Sequence, residues 1–155
     1  MKAHKLFIIS AAFFGLVAII IGAIGAHGIG QNLTEQALQN LNSGLASYCE
    51  KCAHLSEQSF QRLNTGVQYQ FYHVAGLLAV GILTTLHRNY SSILLKLSGT
   101  AFILGNIMFS GSLYAYAITD NELFAKITPY GGIAFILAWL FLFFYAVFKK
   151  SHSTG

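Results

Sequence analysis

Four stretches of this chain, residues 6–26, 67–86, 97–118 and 129–148, contain no Asp, Glu, Lys or Arg and are rich in Ile, Leu, Phe, Ala and Gly. An α-helix rises about 1.5 Å per residue, so about twenty residues cross the roughly 30 Å hydrocarbon core of a bilayer. The pattern predicts an all-α fold, an integral membrane bundle of four transmembrane helices. Only 9% of the residues are charged and 55% are hydrophobic, whereas a soluble domain carries about 25% charged residues. At 155 residues the chain forms one membrane domain, without room for a catalytic domain beside the bundle.

The net charge of +4 raises nucleic acid as a partner, and the placement of the basic residues argues against it. Lys2, Lys5, Arg88, Lys96, Lys149 and Lys150 fall on one side of the four spans, and Lys51, Arg62 and Lys126 on the other. All five acids, Glu35, Glu50, Glu57, Asp120 and Glu122, fall on that second side. The positive-inside rule then puts both termini and the loop before Lys96 in the cytoplasm. The partner that this charge predicts is the lipid bilayer, with some attraction to anionic lipid. The first stretch has the basic start and small residues of a signal peptide, but its apolar run exceeds the usual length of about 7–15 residues, so retention is expected.

The first span carries Ala18, Gly22 and Ala26 at a spacing of four, a ridge that lets another helix approach closely and that ordinary bundle packing explains. The outer loop, 28–66, holds Leu33, Ala37, Leu41, Leu45 and Tyr48 at a helical period, which predicts a short amphipathic helix on the bundle or at the interface. In the third span Asn106, Ser110 and Tyr114 share one face. Thr128-Pro129 suits an N-cap and a first helical turn, so the fourth span is expected to start there. Trp139 falls in mid-span, packed on helices or lipid.

The unusual residues gather at the outer ends of the spans. His27 closes the first span. Gln68, Gln70, Tyr72 and His73 open the second. Ser110, Ser112 and Tyr114 follow Asn106 in the third, and Thr128 and Tyr130 begin the fourth. Polar groups at membrane depth are costly unless paired, which makes the cluster a candidate for ligand binding or assembly. Interhelical hydrogen bonding is the structural alternative, with Asn106 as an anchor between helices.

Cys49 and Cys52, with His54 close by, fit a redox disulfide or half a metal site. Covalent haem attachment needs His directly after the second Cys, and Ala53 stands there. On an oxidising outer side a Cys49–Cys52 disulfide is the plain reading. A zinc site would need His27 or His73 as further ligands. No phosphate loop, HExxH or GxSxG sequence is present, and no charge or mid-span Pro suggests an ion-coupled carrier. No enzyme is expected. Asn32-Leu33-Thr34 and Asn89-Tyr90-Ser91 fit the glycosylation pattern, and only the first would face outward.

Gly22-Ala23-Ile24-Gly25-Ala26-His27-Gly28 is similar to a GAFGAHG signature, and Thr65-Gly66-Val67-Gln68-Tyr69-Gln70-Phe71-Tyr72-His73 to TGVQYQxYH. Phe109-Ser110-Gly111-Ser112-Leu113-Tyr114 resembles FSGSLY, and Thr128-Pro129-Tyr130-Gly131-Gly132 resembles TPxGG. Together these segments resemble the YgdD-like small inner-membrane proteins, which have mitochondrial relatives in animals. The resemblance implies four transmembrane helices and a bacterial inner-membrane address, or the mitochondrial inner membrane in a eukaryote. It implies no particular activity. The outer loop looks longer than the family's, and both cysteines fall in the extra part.

Three functions fit the sequence. The first is a non-enzymatic accessory or scaffold subunit, partnered by other membrane protein subunits or by copies of itself. The second is a binding protein or small transporter for a lipid, quinone or haem-like ligand at His27, Gln70, His73, Ser110 and Tyr114, since two His on neighbouring helices can ligate haem iron. The third is a membrane thiol redox protein using Cys49 and Cys52. No cofactor is required by the sequence; haem and quinone are the candidates.

Overall fold

A computed structural model describes residues 3–25, 46–86 and 93–148, with side chains from residue 57 onward in the second of these segments. The described residues are helical throughout apart from one short turn. Helix α1 spans Ala3–Ile24 and α2 spans Ala46–Leu86. Helix α3 spans Ile93–Thr119 and α4 spans Glu122–Phe148. Each has a stretch long and apolar enough to cross a membrane; in α2 that stretch is Glu57–Leu86.

Successive helices pack in sequence: α1 lies chiefly on α2, α2 on α3, and α3 along its length on α4. Lys5 and Lys96 lie at one end of the bundle, and Arg62, Asp120 and Glu122 at the other. The small-residue ridge of α1 faces α2. Ala18 is fully buried with Leu63 and Val67, and a Cβ on Gly22 would stand 3.4 Å from Val67. The larger core joins Phe7, Leu77, Leu95, Phe102, Phe135 and Tyr145. Trp139 meets the edge of Phe102, with ring centroids 5.2 Å apart.

Three features of the helices differ from what the sequence predicts, two of them boundaries. Helix α2 begins at Ala46, not near Val67, because a helix satisfies its own backbone and continues through polar residues into water. Side-chain bonds one turn apart, from Gln61 to Glu57 at 3.5 Å and from Arg62 to Gln58 at 3.2 Å, accompany that extension. Tyr48 belongs to this helix; Leu33, Ala37, Leu41 and Leu45 lie outside the described residues. Helix α4 starts at Glu122, where Asn121 Oδ1 accepts the Leu123 N–H at 3.0 Å, so Asn121 and not Thr128 caps it. Pro129 therefore lies inside α4 and supplies no N–H to the Ala125 carbonyl. The Thr128 hydroxyl bonds back to the Phe124 carbonyl at 3.2 Å.

The third difference lies within α3. Asn106–Ser110 is a π-helical turn, with the Gly111 N–H reaching back five residues to the Asn106 carbonyl. Such turns insert a residue into the helical ladder and are frequent at functional sites. Gly131 of α4 packs on it so closely that a Cβ there would stand 2.4 Å from the Phe109 backbone nitrogen. Only glycine fits this contact, since the opposing atoms are backbone.

Candidate functional site

The polar cluster lies along the inner faces of the helices. Phe14 lies halfway along α1, Asn106 halfway along α3 and Phe135 halfway along α4, while Gln70 and His73 flank the midpoint of the Glu57–Leu86 stretch. The stretches, 22 to 30 residues long, match or exceed the roughly 30 Å hydrocarbon core, so these residues stand inside it, several turns from the charged residues at either end.

Gln70 joins three helices. Its Nε2 donates to the Phe14 carbonyl of α1 at 2.6 Å, and its Oε1 accepts the Tyr114 hydroxyl of α3 at 2.7 Å. Gln70 is 2% exposed. The Tyr114 ring reaches it by lying over Gly66, where a Cβ would come within 2.7 Å of the ring. Both ends of this amide are thus paired, which is what burial away from water demands.

His73 is buried. Its Nδ1 lies 2.6 Å from the Tyr69 carbonyl, which makes Nδ1 the protonated nitrogen and leaves Nε2 as an acceptor. The imidazole stacks on Phe135 with ring planes 9° apart. Tyr69 in turn packs on Phe109 of the π turn, with centroids 4.8 Å apart.

Asn106 and Ser110, at the two ends of the π turn, are fully buried. Asn106 Nδ2 donates to the Phe102 carbonyl of its own helix at 2.9 Å, so Asn106 forms no interhelical anchor. Among the described residues Asn106 Oδ1 and Ser110 Oγ have no hydrogen-bond partner. An unpaired buried polar atom costs about 1–3 kcal/mol.

Nearer the Asp120 end, Ser112 Oγ stands 2.7 Å from Thr128 Oγ1 and 3.0 Å from the Phe109 carbonyl, tying α3 to α4. At that end of the bundle Arg62 pairs with Asp120 at 2.6 Å and lies over the Tyr116 ring, 3.7 Å from its centroid. Asp120 itself ends α3 in the left-handed conformation, φ 50.

The cluster expected from the sequence is thus divided. Gln70, His73, Asn106, Ser110, Ser112, Tyr114 and Thr128 turn into the bundle. Gln68, Tyr72 and Tyr130 are exposed on its outside, the two tyrosines at 63% and 64%. His27 lies outside the described residues, as do the side chains of Cys49 and Cys52, so neither the disulfide nor paired-His haem ligation falls within them. Among the described residues no three of His, Cys, Asp or Glu stand together as a metal site. Phe135, the Phe14 carbonyl and the Arg62–Asp120–Tyr116 group were not anticipated; only the two opposite charges of the last left a trace in the sequence.

The family described as "Protein of unknown function (DUF423)" matches residues 21–132. The UPF0382 membrane protein YwdK of Bacillus subtilis is 33% identical over 92% of this chain and 97% of its own length. The UPF0382 membrane protein SSP2132 of Staphylococcus saprophyticus is 36% identical over 89% and 93%. The UPF0382 inner membrane protein YgdD of Escherichia coli is 27% identical over 94% and 92%. No solved structure matches the chain. With four helices able to span a bilayer and these relatives along nearly its whole length, the chain is a membrane protein and belongs to the DUF423, or UPF0382, family of membrane proteins.

Proposed function

We propose that this protein binds a hydroxyl-bearing, lipid-soluble molecule of the quinol or lipid class at the middle of the bundle. One observation carries the reading: Asn106 Oδ1 and Ser110 Oγ are buried inside the bundle, on a π turn, without a partner among the described residues. The carboxamide oxygen needs a donor, and the serine hydroxyl can donate or accept. A ligand hydroxyl answers both, donating to Asn106 and accepting from Ser110. No Asp, Glu, Lys or Arg lies at this depth, which favours a neutral ligand, and such a molecule enters from the hydrocarbon without crossing water.

The test is mass spectrometry of organic extracts from protein purified out of its own membrane in mild detergent. A stoichiometric quinol or lipid, lost in Asn106→Leu and Ser110→Ala variants that remain folded, is the expected result. Wild-type protein carrying no such molecule, or only water between the two oxygens, overturns the reading. A role as an accessory or scaffold subunit of an inner-membrane complex, with the basic end in the cytoplasm, is the second reading. The lipid-facing polar side chains of α2 favour it, and co-purification of another polypeptide tests it.

A further inference from the structure

Hydroxyl side chains in the regular parts of these helices turn onto their own backbone. Thr65, Thr84, Thr85, Thr119 and Thr128 each donate to the carbonyl four residues before, at 2.7–3.2 Å, a common way for a helix to satisfy a hydroxyl. Ser110 is fully buried, and its hydroxyl makes no such bond. The residue four before it is Asn106. In a regular helix that carbonyl would point at the N–H of Ser110 itself, within reach of its hydroxyl. Here it accepts the Gly111 N–H instead, across the wider loop of the π turn. The turn leaves free a hydroxyl that a regular helix would engage.

The packing of α3 does not require the extra residue. Phe102 and Tyr114 both lie on α2, over Gly76 and Gly66. They are twelve residues apart, which at about 100° per residue would set them about 120° apart around a regular helix. The π turn takes up one residue, so they stand eleven regular steps apart, within about 20° of each other. A regular helix one residue shorter would present the same faces to α2. Ile107, the exposed residue of the turn, is the one whose loss disturbs the interior least. We propose that the π turn is a one-residue insertion whose role is to hold the Ser110 hydroxyl free for the ligand, beside the Asn106 carboxamide oxygen. On the ligand reading above, from which this follows, the inserted residue and not the side chains alone makes the site. Without Ile107, Gly105 would stand four residues before Ser110, and the hydroxyl would close on the Gly105 carbonyl.

Deletion of Ile107 from the full chain, purified from its own membrane in mild detergent, tests it. The shortened protein is expected to fold and to melt no lower than delipidated wild-type protein. It is also expected to lose the quinol or lipid that mass spectrometry finds in organic extracts of the wild type. Ser110→Ala keeps the length and the turn and is expected to show the same loss. Deletion of Ala101, in the regular part of α3, is expected instead to lower the melting temperature. It swings Ser98 and Gly99 about 100° away from Phe102, off their contacts with Ala138 and Phe7. A chain without Ile107 that fails to fold, melts lower, or keeps the ligand overturns the insertion role and leaves ligand binding standing, as does equal tolerance of the two deletions. Ligand absent from the wild type, or retained in Ser110→Ala, overturns the ligand reading and the insertion role together.

Discussion

Tyr114 donates its hydroxyl proton to Gln70 Oε1 over 2.7 Å, while the other end of the same amide holds the Phe14 carbonyl. One side chain thereby fixes the depth of α1 against α2 and of α3 against α2. Gln70→Leu removes both contacts and leaves the tyrosine hydroxyl unpaired, so a loss of about 1–3 kcal/mol is expected in denaturant unfolding in detergent. Tyr114→Phe is expected to cost less, and the double variant to show a coupling of about 0.6–2 kcal/mol. Additive losses would show that the bond contributes nothing.

Asn106→Leu separates stability from ligand binding. It removes a buried acceptor that no group among the described residues satisfies, at the cost of the Nδ2 bond to Phe102. The ligand-free protein is expected to gain about 1 kcal/mol, the lower end of the penalty for an orphaned group. A destabilised variant would mean that the carboxamide is structural.

Two glycines on either side of the π turn should respond in opposite directions to alanine. At Gly131 the new methyl meets the backbone of Met108 and Phe109, with the nearest atom at 2.4 Å. Gly131→Ala is expected to destabilise by roughly 1–3 kcal/mol, as overpacking does. Nothing stands within 4 Å of a Cβ at Gly111, and its φ of −61 is helical. Gly111→Ala is expected to be neutral or to stabilise by up to about 1 kcal/mol. Thermal shift in detergent reads both.

Arg62 holds three groups and Asp120 only one of them. Removing the acid loses an exposed ion pair, about 0–1 kcal/mol, and that part should shrink as salt rises. Arg62→Ala loses in addition the contact with Tyr116, about 0.5–1 kcal/mol, and the bond to Gln58. Unfolding measurements at low and high ionic strength should therefore show a larger, less salt-sensitive loss for Arg62→Ala than for Asp120→Asn. Asparagine is chosen because it keeps the left-handed conformation that ends α3.

The four helices were legible because charge and hydropathy record the bilayer directly. Gln70 and His73 were legible as polar residues in an apolar run, but their partners were not. The last charge marks where a chain can leave hydrocarbon, not where its helix starts, and Asn121 capped α4 before Thr128 could. The direction of each side chain was also hidden. Gln68, Gln70, Tyr72 and His73 span more than one face of a single helix, so composition alone could not divide inward from outward. The π turn left no trace in the periodicity of Asn106–Ser110, and the close approach of Gly131 to its backbone is a contact between distant segments.

The way the helices pair has a consequence for how the molecule is put together. Helices α1 and α2 form one antiparallel unit, α3 and α4 another, and among the described residues the polar bonds across their seam run through Gln70 and Arg62. Such pairing suits insertion of each unit as a hairpin, followed by lateral association of the two within the bilayer. A chain cut in the 87–92 connection and produced as two fragments should reassemble in the membrane, with Gln70 and Tyr114 as the clasp that brings the halves into register.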